Sequence, residues 1–117
     1  MAEHIQVVTT TETQEDARRI ARALVEARLA SCVQIIGPIE STYHWKGAIE
    51  TNREWQCMIK TRLDRFTQVD ATIRRLHPYE VPEVFALPMV AGSRDYLKWI
   101  DAEVSSRSSG SVDPGEQ

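Results

Sequence analysis

One short segment gathers most of the side chains in this sequence that could bind a ligand or move a proton. Residues 77–83 read HPYEVPE and combine an imidazole, a phenol and two carboxylates. The two prolines push the residues before them toward extended dihedrals and lack an N–H, so the HPYEVPE segment is a stiff, extended connector. Alternate side chains of an extended chain share a side, which groups His77 more naturally with Glu83 than with Glu80.

The HPYEVPE segment predicts either a metal site or a rigid linker that ends one helix and aims the next strand. An imidazole with carboxylates is an N/O donor set that suits Cu(II) or Zn(II), and the Irving–Williams order favours copper at an unspecialised site. One subunit supplies few such donors here, so a useful site also needs Cys32, His44, water or a neighbouring subunit. The predicted metal ligands are therefore His77, Glu80, Glu83 and Cys32, with His44 as the next candidate. Because Cys32 starts a strand, a buried structural thiol competes with a ligand role there.

The same residues do not predict an enzyme. His77 could act as a base oriented by Glu83. No serine or cysteine nucleophile, however, lies in a recognisable activating context in the sequence. We therefore expect a binding protein.

Length and charge narrow the function classes further. The chain has 117 residues, of which 42% are apolar and 26% charged, as expected for one globular domain. Its net charge is −3 and its basic residues form no stripe, so we expect no nucleic-acid partner. It shows no signal-peptide pattern and no apolar run near the roughly 20 residues that span a bilayer, so we expect a cytoplasmic protein without a membrane partner. The two cysteines, Cys32 and Cys57, are expected to be reduced, buried thiols.

The first elements follow from hydrophobic periodicity. The β-rich run 5–10 predicts a strand, and TETQ at 11–14 matches a capping box that opens an amphipathic helix to about Arg28. Residues 32–45 predict one long strand, bent by a bulge at Gly37-Pro38.

A second strand returns from that long strand. After a tight turn at Lys46-Gly47, residues 48–61 complete an extended hairpin with an aromatic tip. Such an apolar tip favours a contact surface over simple packing against the subunit's own helices.

The second half of the chain predicts two more helices and a strand. Thr61 or Asp64 caps a helix that ends where His77 precedes a proline. A continuous apolar strand at 84–87 follows, and Ser93 caps a last helix that carries two apolar stripes. Residues 105–117 are rich in serine and glycine and predict a disordered tail after a domain at 1–104.

The order β-α-β-β-α-β with a closing helix is the split βαβ arrangement, an α+β ferredoxin-like sandwich with an additional C-terminal helix. Two helices cover one face of its antiparallel sheet. The apolar strand, the two-striped last helix and the aromatic hairpin favour a second copy of the chain on the other face. We therefore expect a homo-oligomer.

Five motifs occur together and in register between Ile5 and Val104. They are LASCV (29–33), YHWKGAIE (43–50), IKT (59–61), HPYEVPE (77–83) and LP to YLKWI (87–100). Together they closely resemble the CutA family of divalent-cation tolerance proteins. The resemblance implies a ferredoxin-like fold assembled as a tight homotrimer through inter-subunit strand pairing, and a protein that binds copper or other divalent metals and takes part in the response to metal ions.

The sequence departs from the family pattern at three positions. Family members often carry a second aromatic residue and an acid where this chain has His44 and Lys46, and some have a cysteine where it has Thr9. A metal site that uses this cysteine is therefore not supported here, whereas His44 offers an imidazole that other members lack.

A second function class is a trimeric small-ligand sensing or signalling module that resembles the PII proteins. Its ligand would bind in the clefts between subunits, and this interpretation rests on fold analogy. Because no glycine-rich phosphate loop follows any strand, a nucleotide is not the favoured ligand.

Overall fold

Residues 2–104 form four strands and three α-helices in the predicted order. The computed structural model describes residues 2–104, so the predicted tail at 105–117 lies outside the described residues. The elements are β1 (His4–Thr11), α1 (Gln14–Glu26), β2 (Cys32–Trp45), β3 (Ala48–Arg62), a single 3-10 turn (Leu63–Arg65), α2 (Phe66–Leu76), β4 (Phe85–Pro88) and α3 (Arg94–Glu103). None of these helices is long and apolar enough to cross a membrane.

The strands form one sheet in the order β2-β3-β1-β4, and every neighbouring pair is antiparallel. The first and third strands therefore lie at the centre, which is the predicted split βαβ topology. Side chains alternate between the two faces of a strand. On one face Val7 lies opposite Ile59, and both are fully buried. The buried faces of α1 and α2 complete this core.

The helix starts differ from the sequence prediction. The first strand continues through Thr11, and Thr13 caps α1 by accepting a hydrogen bond of 3.0 Å from the Asp16 amide. The predicted capping box thus lies two residues too early. No side chain caps α2, and the buried hydroxyl of Thr61 donates instead to the Leu29 carbonyl at 2.7 Å. A 3-10 turn begins the second helix in place of a cap.

The β2–β3 hairpin confirms the predicted bulge and turn. The pairing register shifts between Ile36 and Ile39, and the strands remain paired out to Trp45 and Ala48. Lys46 and Gly47 both have positive φ, at 51° and 83°, as a type I′ turn requires. We call residues 39–54, the part of the hairpin beyond the bulge, the hairpin arm.

The last helix lies on the face of the sheet opposite the core helices. Because side chains alternate along a strand, His4 lies on the opposite face of β1 from the core residue Ile5. The Nε2 atom of His4 lies 2.8 Å from the Asp101 carboxylate of α3. Ile100 in this helix and Val104 at its C-terminal end are both buried. Large apolar side chains nevertheless remain exposed on this face, at Ile36, Phe85, Leu87 and Trp99. This exposed surface is consistent with the predicted oligomer, which stays a prediction.

Candidate functional site

A cleft of about 640 Å³ lies between the hairpin arm and the HPYEVPE segment. Its volume falls within the range of small-molecule sites, roughly 300–1,000 Å³. The end of β1, both strands of the hairpin arm and residues 79–83 supply its walls. Three of the lining residues are aromatic, namely Tyr43, Trp45 and Tyr79, and four are acidic, namely Glu12, Glu54, Glu80 and Glu83.

The backbone around the cleft follows the sequence rules in part. The second helix ends at His77, whose φ of −82° and ψ of 132° are extended, as expected for a residue before proline. The chain then bends at residues 79–81, so the HPYEVPE segment is not the continuous extended connector that the sequence predicted. This path carries Tyr79, Glu80 and Glu83 along one side of the cleft.

His77 lies behind the cleft wall and is only 8% exposed. Its Nε2 is 2.6 Å from the carbonyl oxygen of Thr10, and its Nδ1 accepts the amide of Tyr79 at 3.1 Å. A carbonyl only accepts and an amide only donates, so the imidazole is neutral and carries its proton on Nε2. Both ring nitrogens are thus engaged within the subunit. The hydrogen bond to Thr10 links the HPYEVPE segment to β1.

Tyr79 joins this segment to β3. Its hydroxyl donates a hydrogen bond of 2.8 Å to Oε2 of Glu54, and its ring lies 4.6 Å from the His77 ring, centroid to centroid. Burial, followed by the hydrogen bond to Glu54, raises the pKa of Tyr79. The phenol therefore remains protonated and acts as a donor.

Glu54 is the residue that the sequence prediction missed. It is only 5% exposed although it carries a carboxylate. Strand alternation places it on the same face as Gln56 and Met58, away from the core helices, where an acid is unremarkable. Its burial results from Tyr79, which is distant in the sequence, so no local signal could have identified it.

The acids of the HPYEVPE segment have different surroundings. Partial burial, and then repulsion from Glu54, raise the pKa of Glu83 above its ordinary value. Glu80 is exposed and forms an ion pair of 3.5 Å with Lys46 at the rim of the cleft. Glu83 is therefore close enough to Glu54 to be affected by its charge, whereas no hydrogen bond or ion pair joins Glu83 to His77 in the part of the chain that the structure describes.

The predicted ligand Cys32 lies elsewhere in the subunit. It pairs with Lys60 at the start of β2, whereas Tyr43 and Trp45, at the other end of the same strand, line the cleft. Cys32 is partly exposed rather than buried as predicted, whereas Cys57 is buried. Within residues 2–104, no three His, Cys, Asp or Glu side chains are grouped so that they could hold a metal ion. One subunit thus brings two of the four predicted ligands, Glu80 and Glu83, to the cleft.

The sequence and the fold can be compared with those of known proteins. The model of the CutA1 divalent ion tolerance protein family matches residues 5–103. The chain belongs to this family. It is 43% identical over 94 residues to the divalent-cation tolerance protein CutA of Thermus thermophilus, a match that covers 80% of this chain and 91% of the relative.

Vertebrate members of the CutA family are longer. The chain is 48% identical over 84 residues to the Xenopus laevis CutA homolog and 46% identical over 91 residues to human CutA, matches that cover 72% and 78% of this chain. It spans 56% of the first relative's length and 51% of the second's.

Solved CutA structures share the fold. CutA1 from the psychrotrophic bacterium Shewanella superposes with a TM-score of 0.87 at 39% identity, covering 90% of this chain and 98% of that one. CutA from Xylella fastidiosa gives 0.86 at 36% identity, covering 89% and 100%. The periplasmic divalent cation tolerance protein CutA from Archaeoglobus fulgidus gives 0.85 at 37%, covering 87% and 99%.

Proposed function

We propose that this protein is a homotrimer that binds divalent transition metal ions, copper in preference, and takes part in the response to them. The observation that carries this proposal is that Glu54, Glu80 and Glu83 line one cleft, where partial burial, and then repulsion from Glu54, raise the pKa of Glu83. Two carboxylates that repel one another favour a cation between them. Membership of the divalent-cation tolerance family supports the same function.

The ligand set that we propose spans a subunit boundary. Glu80 and Glu83 offer oxygen donors from the cleft, and His77 would have to exchange one of its two hydrogen bonds for a metal bond. Because the described part of one subunit groups fewer than three suitable side chains, a neighbouring subunit has to complete the site, and Cys32 would contribute from there. The Irving–Williams order favours copper for such a set, with zinc as the alternative.

Copper titration calorimetry under non-chelating conditions tests this proposal. Glu83→Gln should weaken copper binding about tenfold or more, since it removes a charged ligand worth roughly 1.5–3 kcal/mol. Glu3→Gln is the matched control, because it removes the same charge at the opposite end of β1 from the cleft. Equal affinities of these two variants, or no binding by the parent protein, would contradict the proposal.

The pH dependence of copper binding provides a second measurement. A carboxyl with a raised pKa takes up its proton at a higher pH than an ordinary glutamate, whose value is 4.5. As the pH is lowered, copper affinity should therefore start to decrease while the pH is still above 4.5. The Glu83→Gln variant should not show this part of the decrease. An identical pH profile in both proteins would argue against Glu83 as a ligand.

Light scattering on a sizing column tests the homotrimer. The expected mass is three times the 13.3 kDa of one chain. A monomer in dilute solution would refute the trimer, and a dimer would show that the hairpin edges pair differently.

The cleft volume favours a second candidate function, a trimeric module that senses a small ligand. A space of about 640 Å³ exceeds the needs of a single metal ion and matches those of an organic molecule. We propose that the ligand binds here between subunits, as in the trimeric PII proteins that this fold resembles. We propose binding rather than catalysis, because both nitrogens of His77, the imidazole nearest the cleft, are already hydrogen-bonded.

We further propose that the protein resides in the cytoplasm, without nucleic-acid or membrane partners. The two unpaired thiols, Cys32 and Cys57, suit a reducing compartment. Because the Archaeoglobus relative is described as periplasmic, cell fractionation should compare the cytoplasm with the periplasm. Recovery with the periplasmic or membrane fraction would contradict this proposal.

A further inference from the structure

The charges that line the cleft are unbalanced. Among the residues that the structure describes, its walls contain four glutamates and no lysine or arginine. Within residues 2–104 only Glu80 of these four has an ion pair, with Lys46 at the rim. Glu12, Glu54 and Glu83 therefore leave the cleft with a negative potential that selects for cations.

Glu54 gives this potential a defined focus. The residue is 95% buried, since 5% of its surface is exposed, and Oε2 accepts the hydrogen bond from Tyr79. Among the described residues its other oxygen accepts no hydrogen bond, and Glu54 lines the cleft. A largely desolvated carboxylate with an unused oxygen is costly unless a donor or cation satisfies it.

The aromatic walls indicate what kind of cation fits. The rings of Tyr43, Trp45 and Tyr79 line the same cleft and can cover aliphatic groups as well as attract positive charge. The chain itself provides an example at the rim, where the ammonium of Lys46 lies 5.5 Å from the centroid of the Trp45 ring and 3.5 Å from Glu80. Ammonium groups on alkyl chains thus match both the rings and the carboxylates.

The size of the cleft favours a long cation over a single ion. The described residues of the cleft contain no group of three metal-ligating side chains, yet the cleft holds about 640 Å³. Several acids that line one cleft can each pair with a separate charge of one extended ligand. We therefore propose that the cleft binds a linear aliphatic polyamine, with one ammonium at the free oxygen of Glu54, another near Glu83, and the methylene spacers against the aromatic rings. This inference rests on the small-ligand candidate function, and it shares Glu83 with the proposed copper site.

Calorimetric titration of the full-length protein with spermidine at low ionic strength tests the inference. We expect saturable binding that Glu83→Gln weakens about tenfold, as expected for the loss of one charge-assisted contact. Glu3→Gln should bind as the parent does. Trp45→Leu should weaken binding by about two- to fivefold, the size of a cation–π contribution at a partly exposed site. Glu54→Gln should have the largest effect, and circular dichroism of this variant will show whether it is folded.

Three probe compounds separate the possible outcomes. Magnesium ions at the same concentration and a neutral diol of similar length should not displace spermidine. If magnesium displaces it equally well, the cleft attracts any cation and the polyamine assignment is wrong. If the neutral diol binds in its place, the small-ligand function stands and the assignment is overturned. If none of these compounds binds, both the assignment and the small-ligand function fail, and the copper titration remains a separate test.

Discussion

Replacing Tyr79 with phenylalanine removes one oxygen atom and leaves the buried carboxylate of Glu54 without its donor. The hydrogen bond is 2.8 Å long and Glu54 is only 5% exposed. Because a hydrogen bond to a charged group contributes about 1.5–3 kcal/mol, we expect Tyr79→Phe to lower the free energy of unfolding by about 2 kcal/mol. For a domain of this size such a loss lowers Tm by roughly 6–10 °C.

Urea unfolding at pH 7, with the same subunit concentration for every variant, measures this change. Tyr43→Phe is the matched control, because the Tyr43 hydroxyl accepts a hydrogen bond of 2.7 Å from Asn52 on the exposed hairpin arm. We expect the control to change the free energy of unfolding by less than about 0.5 kcal/mol. Equal losses for the two tyrosine variants would refute the argument that Glu54 depends on Tyr79.

The same variant makes a prediction for alkaline pH. The folded protein retains the phenolic proton of Tyr79 at pH values where the unfolded chain releases it, because burial and then Glu54 raise its pKa above 10.0. The unfolded state then binds fewer protons than the folded state. The free energy of unfolding should therefore fall as pH rises above about 10. This decrease in stability at alkaline pH should be absent from Tyr79→Phe. Parallel pH profiles of the free energy of unfolding for the parent and the variant would contradict the prediction.

Three further changes test the interior. Thr9→Val should raise the free energy of unfolding by about 1 kcal/mol in urea titrations, because the buried Thr9 hydroxyl has no hydrogen-bond partner among residues 2–104; a loss of stability would contradict this. Gly37→Ala should lower the free energy of unfolding by about 1–3 kcal/mol, because the added Cβ would overlap the Trp55 ring. An unchanged free energy of unfolding would show that the ring moves aside. A thiol reagent at pH 8 should label Cys32 quickly and Cys57 slowly, because burial raises the pKa of Cys57 to about 11; equal rates would disprove the difference.

Much of the fold could be predicted because local patterns specify it. The apolar spacing of Ala17, Ile20 and Leu24 predicts the buried face of α1, and the Lys46-Gly47 turn sets the register of the long hairpin. Helix starts were less predictable. Thr11 satisfies the capping pattern, but its pairing with Trp55 keeps it in β1, and a long-range strand pair outweighs a local cap.

The candidate site could be predicted only in part. The sequence identified the HPYEVPE segment, and Glu80 and Glu83 do line a cleft. It also ranked His77 as a metal ligand, whereas in the folded subunit both ring nitrogens bond to backbone groups of Thr10 and Tyr79. An imidazole can bind a metal or stabilise a backbone turn, and its residue type does not distinguish these roles.

The sequence by itself therefore determined the family, the order of the elements and the end of α2 before His77-Pro78. These properties depend on side-chain periodicity, proline geometry and motifs that span a few residues each. Only the tertiary structure decided that Glu54 is buried under Tyr79, that Cys32 lies away from the cleft, and that acids and aromatic rings share one cavity. The physical reason is that burial and charge repulsion depend on distances between residues that are far apart in the chain, and folding alone sets these distances.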